Sequence, residues 1–172
     1  MPRRLVFDFS ESTARRVNSC AATAGIPSGL WLRVGVDAVR HLRAASALSG
    51  LEVSELGHVL DEHADHGGGS RSAAALAGRE LYAYARALAR GSTQASSMDT
   101  TIAVDVTDEI ATSWALAAAD ANESLEAWVE AAVERVPPGA IGWEIAAANT
   151  GATLGEWIYA AALRWARTTA SA

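Results

Sequence analysis

The chain of 172 residues contains no lysine, and all fourteen of its basic residues are arginine. Its one cysteine excludes an internal disulfide. Cys20 lies on an apolar stripe and reads as a small core residue rather than a reactive thiol. No apolar run approaches the roughly 20 residues of a membrane span. No charged-then-apolar leader precedes a cleavage site, so a cytoplasmic protein without membrane contact is expected. The run Gly67-Gly68-Gly69 is not followed by Gly-Lys-Ser/Thr, so it is not a phosphate-binding loop. Read with His66 it resembles an esterase oxyanion loop, but the Gly-x-Ser-x-Gly elbow that would go with it is missing. With no nucleophile beside a placed base, the expectation is no enzyme, no catalytic residue and no cofactor.

Half of the residues are apolar and only 6% are aromatic, a helix-rich composition. The net charge of −6 is unevenly spread. Residues 1–50 hold seven arginines and three acids (+4), residues 51–100 four and seven (−3), and residues 101–172 three and ten (−7). The first stretch suits an approach to phosphates, and the last would be repelled by them.

Residues 5–42 set the pattern of the chain. Leu5, Phe7 and Phe9 alternate with Arg4, Val6 and Asp8, as a half-buried strand requires. Ser10 can cap a helix, and Glu11 suits its positive end. Val17, Cys20, Ala21 and Ala24 make one apolar stripe, and Gly25 fits a left-handed stop. Pro27-Ser28 fits the start of a second helix, whose stripe is Leu32, Gly35, Val36, Val39 and Leu42, with Trp31 beside it.

A shift of 97 positions aligns a second such unit over residues 101–136 without a gap. Ile102, Val104 and Val106 fall on Leu5, Phe7 and Phe9. Asp105 falls on Asp8, Thr107 on Ser10, Trp114 on Val17, Asn122 on Gly25 and Trp128 on Trp31. Asparagine is the other residue that tolerates the left-handed stop. A third, partial copy places Trp143 on Trp114, Gly151 on Asn122 and Trp157 on Trp128. Pro137-Pro138 stand where its strand would be, so only a helix pair is expected there. The shared tryptophan positions read as core anchors rather than a base-stacking platform.

The strand RLVFDF, the cap Ser10, the turn AGIPS and the helix LWLRVGVDAV resemble the ribbon-helix-helix family of Arc/MetJ-type DNA-binding modules. The expected fold class is therefore mainly α: tandem ribbon-helix-helix repeats, with two short strands pairing as an antiparallel ribbon and the rest helical. The chain is expected to hold four segments: a first unit over 1–46, a helical hairpin and linker over 47–98, a second unit over 99–136 and a C-terminal helix pair over 137–172. Residues 44–50 read as a fraying helix end, 53–64 and 72–90 as helices, and 91–99 as a polar linker. A lone unit cannot bury its strand face, so strands must pair. Either strand 5–9 pairs with strand 102–106 as a pseudo-dimer, or two chains pair like with like as a homodimer. Matched unit lengths and opposite charges favour the pseudo-dimer.

The resemblance also implies that the ribbon enters the major groove of double-stranded DNA and reads bases with Arg4, Val6 and Asp8. Arg3, Ser28 and Gly29 would position phosphates. At the matching strand positions the second unit offers Thr101, Ala103 and Asp105, with Glu123 near its clamp. This departure from the family pattern makes pairing or partner binding the expected role of that unit. The implied function is a sequence-specific DNA-binding regulator: a repressor, an antitoxin, or a plasmid or phage accessory factor. The alternative is a protein-interaction scaffold that kept the fold but lost DNA readout, with the acidic 101–172 half holding a protein partner. His58, Glu62 and His66 share a helical face. Without a cysteine or a fourth distant ligand they read as a solvated helix end, and no metal site is expected.

Overall fold

A computed structural model describes residues 2–66 and 100–170. The helix expected over 72–90 and the linker over 91–99 lie outside the described residues. The chain is mainly helical with one small antiparallel sheet. In order, the described elements are β1 (Pro2–Asp8), α1 (Glu11–Ala24), α2 (Ser28–Ser49) and α3 (Val53–His66). They continue with β2 (Thr101–Thr107), α4 (Asp108–Asp120), α5 (Leu125–Val133), α6 (Ala140–Asn149) and α7 (Leu154–Ala170).

The described residues fall into two compact units that do not follow chain order. The first holds residues 2–36 and 100–136. The second holds residues 37–66 and 137–170. The division lies within α2, whose first nine residues belong to one core and the remainder to the other.

In the first unit β1 pairs antiparallel with β2 of the same chain, with Val6 opposite Ala103 at the centre. Leu5 lies opposite Val104 and Phe7 opposite Ile102, so the apolar sets of both strands share one face. Phe7, Phe9, Ile102, Val104 and Val106 are all buried there. The Phe7 and Phe9 rings stack with centroids 5.6 Å apart. Val17 and Ala21 from α1, Leu32 and Val36 from α2, Trp114 from α4, and Trp128 and Val129 from α5 complete the core. Burial of such side chains, each worth about 1.5–3 kcal/mol, is what makes an isolated ribbon stable here.

The helix starts and stops are local. Ser10 caps α1 by accepting from the Thr13 amide, Thr107 caps α4 through Ile110, and Ser124 caps α5 through Ala127. Gly25, Asn122 and Gly151 all lie in the left-handed region, at φ 71°, 57° and 72°. The same double hydrogen bond closes each of these three turns. Ile26 N–H reaches Ala21 O and Gly25 N–H reaches Ala22 O. Glu123 pairs with Ala118 and Asn122 with Ala119, and Ala152 with Ala147 and Gly151 with Ala148. This is the Schellman closure of a helix end.

In the second unit Leu42 and Ala45 of α2 join Leu56 and Leu60 of α3, Trp143 and Ala147 of α6, and Trp157 and Ile158 of α7 in a buried core. The Trp143 indole N–H donates to Asp61 Oδ1 at 2.8 Å, which satisfies the polar end of a buried ring. One sequence expectation is corrected here: residues 44–49 continue α2 rather than fray. Ala45 is fully buried, which holds the extra turn in place, and Gly50 at φ 75° supplies the stop. The Ser46 hydroxyl donates to the Leu51 carbonyl just beyond it.

Candidate nucleic-acid interface

The alternation that buries Phe7 and Ile102 turns Arg4, Val6 and Asp8 outward from β1, and Thr101, Ala103 and Asp105 outward from β2. Val6 is 60% exposed at the centre of this face. The two strands meet about a local two-fold through the Val6–Ala103 pair. Arg4 is paired with Asp105, which lies 97 positions beyond Asp8. Asp8 is paired with Thr101, 97 positions beyond Arg4.

Arg4 does not stand alone. Its Nε donates to Asp105 Oδ1 at 3.1 Å and its Nη2 to Oδ2 at 3.3 Å, a two-pronged ion pair open to solvent. These hydrogen bonds, and then the charge of the carboxylate, raise the guanidinium above its ordinary pKa. A guanidinium has five N–H donors. Asp105 occupies one edge and leaves the other edge pointed away from it. Among the outward side chains of the two strands one is positive and two are negative, Arg4 against Asp8 and Asp105.

The ribbon edges are covered differently. At β2, the start of α2 presses so closely on the strand that a Cβ on Gly29 would overlap the Ala103 carbonyl oxygen. Glycine is required there by proximity. The neighbouring Ser28 hydroxyl donates to Asn18 Oδ1 at 2.5 Å. At β1, the residue 97 positions beyond Gly29 is Glu126, and its carboxylate accepts the Asp8 amide at 2.8 Å. Asp8 also accepts from the Thr100 hydroxyl at 3.0 Å. One turn further along α5, Glu130 Oε1 accepts from the Ser10 amide, the Ser10 hydroxyl and the Thr13 hydroxyl at 3.2, 2.7 and 2.9 Å. The Ser10 hydroxyl bond chiefly, with Thr13 and the Ser10 amide, outweighs burial and holds this carboxyl below its ordinary pKa.

The six site residues read from the sequence are thus placed as follows. Arg4, Val6 and Asp8 share the outward face, and Gly29, with Ser28 beside it, abuts the strand opposite Val6. Arg3 lies opposite Val106 and belongs to the other face of β1, where it is exposed beside Leu5 rather than beside Arg4. The carboxylates of Asp105, Glu126 and Glu130 were missed as partners. Imposing antiparallel pairing about Val6 and Ala103 would have found Asp105. Glu126 and Glu130 are four residues apart on one helix and read in sequence as an ordinary solvated face. His58 and Glu62 are exposed on α3, and no group of three metal-ligating side chains forms among the described residues. Trp31, Trp114, Trp128, Trp143 and Trp157 are all buried. No helix among the described residues is long and apolar enough to cross a membrane. No protein-family model, curated protein or solved structure matches the chain.

Proposed function

We propose that the first unit is a ribbon-helix-helix-like pseudo-dimer and that the protein is a DNA-binding regulator reading the major groove with the outward face of its β1–β2 ribbon. The observation that supports this most is the exposed centre of that face: Val6 stands open to solvent, flanked by an arginine whose orientation is set by Asp105. A two-stranded ribbon fits the roughly 12 Å width of the major groove. The edge of Arg4 not used by Asp105 suits the O6/N7 acceptors of guanine, Val6 a thymine methyl, and Asp8 the amino group of cytosine. The start of α2 lies beside Ala103, where Ser28 and Gly29 amides suit a phosphate. No catalytic role is assigned.

The two strands are not equivalent. Arg4-Val6-Asp8 faces Thr101-Ala103-Asp105, so one protein reads one asymmetric site rather than a palindrome. Glu126 stands where the second strand edge would otherwise meet the backbone, so few phosphates are engaged and affinity is modest. The test is fluorescence anisotropy against duplex from the region upstream of the coding sequence, across a salt series, with random duplex as reference. Preference for the upstream duplex, lost in Arg4→Ala, is expected. Equal binding of wild type and Arg4→Ala, with no site preference in either, would remove the assignment.

A further inference from the structure

The first unit carries an open apolar groove of about 290 Å³ on the opposite side of β1 from Val6. Leu5 of β1, Ala111, Ala115 and Leu116 of α4 and Leu125 of α5 line it, with Arg3 at its margin. Leu116 is 61% exposed. The fold does not impose this groove. The residues 97 positions before Ala115, Leu116 and Leu125 are Asn18, Ser19 and Ser28, and there the Asn18–Ser28 hydrogen bond closes the same place with polar groups. Apolar side chains stand open at this place on one copy only, so the groove belongs to this copy and not to the shared unit.

The charges around the groove select the occupant. Asp108, Thr112, Leu116 and Asp120 follow at four-residue intervals, so they form one line along α4 with an exposed acid at each end. Glu123 adds a third exposed carboxylate just before Leu125. Residues 101–134 contain eight acids and no basic residue. Arg3 is the one charged residue that lines the groove, and Asp108, Asp120 and Glu123 are exposed on the elements that form it, so the charge around this short apolar trough is net acidic and complements a helix whose apolar face is flanked by lysine or arginine. A second copy of the chain is a poor match on charge, because it would bring the same acidic rim onto this one.

We infer that this groove is a docking site for a basic amphipathic helix of a partner protein. The site is separate from the ribbon face and stands whether or not DNA is bound there. The probe is a fluorescein-labelled 16-residue peptide of leucine and lysine with leucines at helical spacing. Its scrambled isomer and a leucine–glutamate analogue serve as references, and all are titrated into the full chain. The helical lysine peptide should bind, the other two should not, and Leu116→Asp should weaken binding by about tenfold or more. Leu116 is exposed, so this variant should fold, which circular dichroism would check. Ala115→Phe, which fills the trough without adding charge, should weaken binding similarly. Equal binding of the scrambled peptide would reduce the effect to bulk charge and overturn the inference. Unchanged affinity in both variants would overturn it too. So would a wild-type dimer in light scattering that Leu116→Asp converts to monomer, since the occupant would then be a second copy.

Discussion

Arg4 and Asp105 face each other across the ribbon with two hydrogen bonds of 3.1 and 3.3 Å, on the face that lies away from the core. The pair is exposed, so neither partner matters much for folding, and either single substitution should change stability by no more than about 1 kcal/mol. For DNA the two substitutions should differ in kind. Arg4→Ala removes the only cation among the outward side chains of β1 and β2 and should cost about 1–3 kcal/mol of discrimination at one base position. Asp105→Asn removes a repelling charge but also frees the guanidinium. It should tighten binding to any duplex while narrowing the gap between specific and random sites. Anisotropy on both duplexes separates the two effects.

The contact between Gly29 and the Ala103 carbonyl gives a second prediction. Alanine is normally the better helix residue by about 1 kcal/mol. Here its methyl would overlap a backbone oxygen of β2, which cannot give way as the end of a flexible side chain can. Gly29→Ala should therefore destabilise the protein by about 1–3 kcal/mol, against the helix-propensity trend. Gly142→Ala, in α6 with no atom near the added methyl, should follow that trend and stabilise. Paired urea titrations check the contrast.

Three of the left-handed helix ends, Gly25, Asn122 and Gly151, separate backbone strain from packing. A Cβ on Gly25 or Gly151 would meet nothing within 4 Å, so Gly151→Ala should cost about 1 kcal/mol through φ alone. Asn122 already carries that strain at φ 57°, so Asn122→Gly should be neutral or slightly stabilising. Thermal melts should show a loss for Gly151→Ala and no loss for Asn122→Gly.

These ends also show why much of the fold was legible in the sequence. A glycine or asparagine stop, a capping hydroxyl and an apolar stripe are local signals, and they recur at Gly25, Asn122 and Gly151 in a register without gaps. The strands were legible because alternation fixes which face is buried. Alternation does not fix the partner: Phe7 and Phe9 would be buried equally well in like-with-like pairing between two chains. The Arg4–Asp105 contact depends on that choice, so the ion pair at the centre of the candidate site follows from the sequence only once antiparallel pairing about Val6 and Ala103 is imposed. The end of α2 was misread because burial of Ala45 depends on α2 residues sharing a core with α3, α6 and α7, which is a tertiary effect. Arg3, read as a phosphate contact, lies on the opposite face of β1 from Arg4, since a strand sends neighbours to opposite faces.

Two titrating groups, one in each unit, should give acid sensitivity in separate windows. His63 packs against Trp157 with ring centroids 5.4 Å apart, and burial, then the charge of Arg164, lowers its pKa. The folded protein therefore binds this proton less readily than the unfolded chain. Its contribution is complete above the ordinary histidine value of about 6.5 and falls as pH drops through the lowered one. Glu130 is lowered by its bonds to Ser10 and Thr13, so its contribution is complete above the ordinary glutamate value of about 4.3 and is lost below that. Thermal melts from pH 8 to pH 3 should show stability falling in both ranges. His63→Phe should flatten the upper fall and leave the lower one. Glu130→Gln keeps the shape but not the charge, so it should lower stability near neutrality and flatten the lower fall. If neither variant changes the slope in its own window, the acid response arises in other groups, and the Ser10–Thr13–Glu130 cluster is only a neutral brace between α1 and α5.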